Sequence, residues 1–313
     1  MNEADRRPSF RSISRRRKNF DLFMKIVIFS CFILVSVPLI SIIYIVIVKG
    51  FGQLTPYFLT HTMKGVMGGF WPFGGILHAL LGTILITFGA MIISIPIGVA
   101  TAIYLVEYSK KNKLSNAINI MVDIMSGVPS IVAGLFAYSL FALFLGPKAV
   151  FGFSGSAALA VLMIPTIVRS TQEMLNLVPN ELREASFGLG VSKFRTIAKV
   201  VLPTAFSGIV TGILLSVARV IGETAPLLLT AGTIDSLNWN LFSGRMMSLP
   251  VYIYNEYSQG LAICSNNLLG ADCLSDIRMQ RAWSAALVLF GVIIILNLVG
   301  NIIRLKVLRK RGK

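Results

Sequence analysis

The sequence predicts an all-α integral membrane protein that crosses the bilayer six times, and three observations carry the prediction. Across 313 residues, Ala, Val, Ile, Leu, Met, Phe, Trp, Tyr and Cys make up 55%, whereas Asp, Glu, Lys and Arg make up only 13%. A soluble domain averages about a quarter charged. Mean hydropathy is +0.77, and a disordered chain needs the opposite balance. The apolar residues also gather into runs of about 20 residues or more, the length a helix needs to cross the hydrocarbon core with its backbone groups paired internally.

The runs occupy roughly 22–48, 76–106, 117–145, 155–175, 203–232 and 283–305. The first, Leu22 to Val48, is too long for the apolar core of a signal peptide and lacks a following small-residue cleavage site, so it reads as an uncleaved first helix. The fourth is the weakest, because Pro165 interrupts it and Arg169 sits near its end. Residues 1–21 form a basic tail, 22–75 the first helix and its loop, 76–305 the main transmembrane domain, and 306–313 a second basic tail.

Charge orients the set. Lys and Arg number 29 against 13 Asp and Glu, a formal +16 with a pI near 10.1. The excess gathers at both termini, at Lys110, Lys111 and Lys113, and at Arg169, Arg183, Lys193, Arg195 and Lys199, whereas the first loop holds only Lys49 and Lys64 and the third only Lys148. That alternation predicts both termini, loop 2 and loop 4 in the cytoplasm. Clusters flanking apolar spans face anionic lipid, and no nucleic-acid-binding motif accompanies them. Cys264 and Cys273 share the fifth loop, outside in this topology, where a disulfide between them would close a short loop; two free thiols are the alternative.

Several chemistries lack their residues. There is no G-x-x-x-x-G-K-[ST] loop for a nucleotide, no nucleophile elbow or Ser-His-acid set, and no metal-ligand cluster around His61 or His78. The chain reads as neither an enzyme nor a metal site.

The fourth loop, Asn180 to Pro203, is the most informative stretch. Helical spacing up to Ser186, with Glu181, Arg183 and Glu184 on solvated faces, gives way to Gly188 and Gly190, then to a basic amphipathic segment entering the fifth span at Pro203. Glu184-Ala185-Ser186, Gly190 three residues on, and Val200-x-Leu202-Pro203 after nine more resemble the EAA signature of ABC importer permeases, with Ser186 for Ala and Val200 for Ile. The resemblance implies a type I (MetI-like) permease fold and a coupling helix that docks on a separate ATP-binding subunit. Glu184, Ala185, Ser186, Gly190, Leu202 and Pro203 would be the ATPase-coupling residues.

Charge within a span is a functional hypothesis by default. Arg219 and Glu223 stand four apart in the fifth run, on one face of a continuous helix and able to pair; Arg169 and Glu173 repeat the spacing. Asp123, in the third run, has no obvious partner. Each Arg–Glu set is either a structural ion pair or a guanidinium offered to an oxyanion, which its planar donors suit.

RVIGETAPLLLTAG, GGILHALLGT and Ser126 to Phe136 are similar to PstA-type permeases of phosphate-specific ABC importers. The likeness implies a substrate path using Arg219, Glu223, Arg169 and Glu173. It also implies these partners: a homologous second permease (PstC type), an ATPase dimer (PstB type) holding ATP and Mg, and an extracytoplasmic phosphate-binding protein (PstS type). This chain itself would bind no cofactor and would lie in a bacterial inner membrane. A stand-alone anion channel or ion-coupled transporter, or a sulfate or molybdate permease, is the rival. The fifth loop, Thr233 to Ala282, with Trp239, Tyr252, Tyr254 and Tyr257, is a docking surface or a set of interfacial anchors. Gly208 and Gly212 form a GxxxG suited to close helix packing.

Overall fold

The computed structural model describes residues 15–66, 74–109, 112–260 and 274–311. The chain divides into two compact units, Met1–Val48 and Lys49–Lys313. In the first unit the described residues belong to a single helix, α1 (Arg15–Gly50). It is apolar on every side beyond its basic first turns, and its internal Pro38 is a residue that membrane helices tolerate.

The second unit is built from α2 (Pro56–Thr60), α3 (Leu77–Ile103), α4 (Lys113–Gly127), α5 (Ser130–Leu145), α6 (Gly152–Asn176), α7 (Asn180–Gly188), α8 (Lys193–Thr196), α9 (Leu202–Ile221), α10 (Ala225–Thr230), α11 (Leu249–Gly260) and α12 (Leu274–Arg311). Five helical segments are long and apolar enough to cross a membrane, or six if the bent pair α4–α5 counts as one span. The chain is thus a multi-pass membrane protein, all-helical over its described residues.

Two expected spans are broken, and proline explains both. The run 117–145 splits into α4 and α5, which meet at 110°. Pro129 excludes helical geometry from the residue before it, and Val128 is extended at φ −69°, ψ 128°. The run 203–232 likewise stops at Ile221 and resumes as α10, because Pro226 has no amide for the Gly222 carbonyl and its ring would strike it. Upstream, the same helix starts earlier than expected. Lys193 to Ile221 is continuous through a π-turn, Ile197–Val201, just ahead of Pro203, whose ring displaces the carbonyl four residues back.

The expected weak span, α6, is the centre of the unit. It runs unbroken through Pro165, and 67% of its most apolar stretch is buried, the largest share among the candidate spans. Ile86 and Ala90 of α3, Leu159, Met163 and Ile167 of α6, Val217, Val220 and Ile221 of α9 and Leu227 of α10 form the main core.

Small residues let these helices approach, which substitutes in lipid for a hydrophobic drive. A Cβ at Gly89 would meet Ser156 at 2.5 Å and one at Gly98 would meet Ile167 at 2.7 Å, and Ser156 Oγ donates to the Ile86 carbonyl at 2.9 Å. The GxxxG of α9 is the seam with α6: Gly208 faces Met174 and Gly212 faces Ser170. Replacing Gly212 by Leu should therefore destabilise the purified protein by about 1–3 kcal/mol. Gly291→Ala, with nothing within 4 Å of the added Cβ, should not lower the thermal midpoint, since Ala only gains helix propensity there.

Candidate functional site

Between α6 and α9 the chain folds into a compact double turn. Gly190 takes φ +75°, its amide donates to the Phe187 carbonyl at 2.9 Å and that of Val191 to Ser186 at 3.2 Å, so α7 and α8 fold back on each other. Ser186 and Thr196 hydroxyls meet at 2.9 Å, both buried. The signature residues therefore divide. Glu184, Ala185 and Gly190 are exposed, Ser186 closes the loop from inside, and Leu202 and Pro203 are half-buried in the first turn of α9. Around the exposed set stand Leu182, Phe187, Leu189 at 84% exposure and Phe194 at 72%. The tip of a charged loop is thus apolar and open, the kind of surface that marks interaction sites.

Arg183, expected on a solvated face, is instead half-buried. It ion-pairs with Glu107 at 2.9 Å, the side chains being 14% and 8% exposed. Glu107 belongs to a π-turn, Tyr104–Tyr108, that extends α3. Lys193 Nζ lies 5.0 Å above the Tyr108 ring. The partner of Arg183 is 76 residues away in sequence, beyond the reach of any local pattern.

The intramembrane charges are also rearranged. Arg219 stays on α9 but Glu223 lies beyond its end, after turns in which Gly222 N–H donates to the Arg219 carbonyl at 3.3 Å and Glu223 N–H to Val220 at 3.1 Å. The two do not share a helix face, and neither has an ion pair among the described residues. Arg219 is exposed and Glu223 half-buried.

Arg169 pairs not with Glu173, which is exposed, but with Asp123 of α4. Asp123, expected to be unpartnered, thus has a partner. Arg169 also donates to Gln172 Oε1 at 3.3 Å, and Gln172 Nε2 donates to Asn119 Oδ1 at 3.2 Å. A polar ladder of Asn119 and Asp123 against Arg169 and Gln172 therefore joins α4 to α6. Because Gly212 meets Ser170, Arg219 stands seven residues further along α9, about 10 Å of helical rise from the level of Arg169.

Near the opposite ends of the helices from the α7–α8 loop, two turns with left-handed glycines, Gly146 at φ +81° and Gly244 at φ +75°, frame an open cavity of about 500 Å³ lined by Lys148, Ser243, Arg245, Phe151 and Phe242. Asn238 Nδ2 holds one turn through the Ser243 and Arg245 carbonyls at 2.8 and 3.0 Å. Of the fifth-loop aromatics, Trp239, Tyr254 and Tyr257 are exposed, but Tyr252 is buried, edge-on to His78 with ring centroids 5.7 Å apart. It belongs to the packing between α3 and α11, not to a surface. Cys264 and Cys273 lie outside the described residues.

Glu256 is buried on α11, and its Oε2 has no hydrogen-bond partner among the described residues. Burial pushes its pKa up from the ordinary carboxylate value, against the opposing pull of Arg278 and Arg281. A carboxyl raised on folding contributes stability that is full below its unfolded pKa and is lost as pH rises through the folded one. Glu256→Gln should thus raise the thermal midpoint at pH 8, and the gap should close as pH falls into the ordinary carboxylate range.

Residues 94–311 match the family described as binding-protein-dependent transport system inner membrane component. The chain is 41% identical over 96% of its length, and 94% of the relative's, to phosphate transport system permease protein PstA 1 of Mycobacterium tuberculosis (strain CDC 1551 / Oshkosh). To PstA of Mycobacterium leprae it is 40% identical, over 96% and 93% of the two chains. In fold it resembles a chain of the inward-facing MetNI methionine ABC transporter, TM-score 0.54 at 18% identity, covering 74% of this chain and 94% of that one. A chain of a histidine-bound amino acid ABC transporter gives the same TM-score at 15% identity, over 74% and 93% of the two chains.

Proposed function

We propose, from the premise that this chain belongs to the binding-protein-dependent transport system inner membrane component family, that it is the permease subunit of an ATP-driven inorganic phosphate importer. The observation that carries the reading is the identity of 41% along nearly the whole length of a phosphate permease. It is a transport subunit, not an enzyme.

Its exposed α7–α8 tip, led by Leu189 and Phe194, docks in a groove of a separate ATPase (PstB type), which holds the ATP and Mg of the system. That places the α7–α8 loop and both termini in the cytoplasm of a bacterial cell, with the chain in its inner membrane. An extracytoplasmic phosphate-binding protein (PstS type) delivers the anion to the far side, where Lys148 and Arg245 line an open cavity.

Arg219, exposed within a span, cannot face lipid without a penalty of about 2.5 kcal/mol or more. A homologous second permease (PstC type) covers that face and encloses a watered path. There Arg219 presents its planar donors to the phosphate oxygens, Glu223 beyond the helix break limits how tightly the anion is held, and Arg169 and Glu173 stand nearer the cytoplasmic exit.

The assignment is tested by labelled-phosphate uptake at micromolar concentration, with and without this chain, against excess sulfate and molybdate. Loss of sulfate-resistant uptake on deletion is expected; unchanged uptake in cells with no other high-affinity system would refute the cargo. Arg219→Gln should lower uptake at least tenfold while the complex still co-purifies. Leu189→Glu should weaken ATPase retention at least tenfold, as for a buried interface anchor, and Glu184→Lys should uncouple or detach the ATPase.

A further inference from the structure

All five guanidinium N–H groups of Arg183 are engaged. Nε and Nη2 donate to Glu107 Oε1 at 3.2 and 2.9 Å. Nη2 also reaches the Leu175 carbonyl at 2.9 Å, and Nη1 the Val178 carbonyl at 2.6 Å and Asn180 Oδ1 at 3.2 Å. Five donors in a fixed fork are the full capacity of the side chain. One residue of α7 thereby holds a carbonyl in the last turn of α6, one in the connection that follows it, and the only carboxylate of the Tyr104–Tyr108 turn that extends α3. The ion pair is nearly dry, and a paired buried charge resists separation because either partner alone would be left unpaired.

Apart from this residue, α7 meets the bundle through the chain at Pro179, the Ser186–Thr196 contact and its packing on the Ile197–Val201 turn, all within the loop that leads into α9. With Arg183, α7 has a side-chain bond to α3, from which it is far removed in sequence. Lys193 over Tyr108, and Val106 packed with Leu175, Val178 and Val201, brace the same junction.

We infer that the Glu107–Arg183 pair is the contact that delivers displacement of the docked α7 to α3, so that both residues position the coupling machinery and neither touches substrate. This rests on the proposed docking of α7 against an ATPase. Because coupling between two sites is reciprocal in free energy, the contact also carries the loaded-receptor signal inward.

The test uses the full complex, with both permeases, the ATPase dimer and the binding protein, in proteoliposomes. ATP hydrolysis and labelled-phosphate uptake are measured together for the unmodified chain, Glu107→Gln and Arg183→Lys. Glu107→Gln keeps size and an acceptor but removes the charge; Arg183→Lys keeps the charge but loses the fork. Both variants are expected to co-purify with the ATPase and to keep basal hydrolysis within about twofold. Stimulation by phosphate-loaded binding protein, and phosphate moved per ATP, should fall at least tenfold. Variants that move as much phosphate per ATP as the unmodified chain would overturn the inference, as would loss of assembly and hydrolysis in proportion to uptake, which marks a purely structural pair. Failure of the unmodified complex to move phosphate with ATP would instead refute the permease assignment itself.

Discussion

Close approach to α6 is the constraint on which the rest of this molecule depends. In a bilayer, helices gain little by hiding apolar surface, so they associate through contact and through polar groups that find partners. α6 supplies both. Ser156 bonds the α3 backbone, Ser170 fills the notch at Gly212 of α9, and Arg169 and Gln172 hold α4. Arg183 then caps the Leu175 carbonyl in the last turn of α6 and the Val178 carbonyl just beyond its end. The position of the α7–α8 loop and the face presented by Arg219 follow from helices seated on α6.

Much of this arrangement was legible in the sequence. The apolar runs locate the spans because bilayer thickness leaves little freedom in helix length. The spaced EAA-like residues locate the α7–α8 turn, because that turn needs a glycine where φ is positive, and Gly190 is there. Pro226 signals a disturbed helix, although hydropathy alone reads straight through it, whereas Pro203 reads as the start of a span that in fact begins at Lys193. Length, composition and local backbone rules are properties of neighbouring residues, and a sequence displays its neighbours.

What was not legible is pairing across space. Periodicity matches Arg169 to Glu173 and Arg219 to Glu223, but the guanidinium of Arg169 meets Asp123, from a helix 46 residues away, and a helix break separates the second set. Arg183 reads as surface charge because its acid lies in another span. Tyr252 resembles an interfacial anchor until α11 turns it inward against His78. In each case the partner comes from a distant element, so a local rule selects the nearest opposite charge or the usual habit of the residue type.

The burial of α6 also bears on how the chain is made. A segment so rich in Ser, Thr and Gly, with Arg169 and Glu173 in its last turns, is a poor candidate to enter the bilayer alone, since each ionisable group near the hydrocarbon opposes insertion. Yet it follows α3, α4 and α5 in synthesis, and α3 and α4 carry the groups that meet Ser156, Arg169 and Gln172. Biogenesis is therefore ordered by the chain itself. The earlier helices must still be beside the insertion machinery when α6 emerges, and α9 and α10 close over it afterwards, so that a lesion in α3 would appear first as a failure of α6 to reach the membrane.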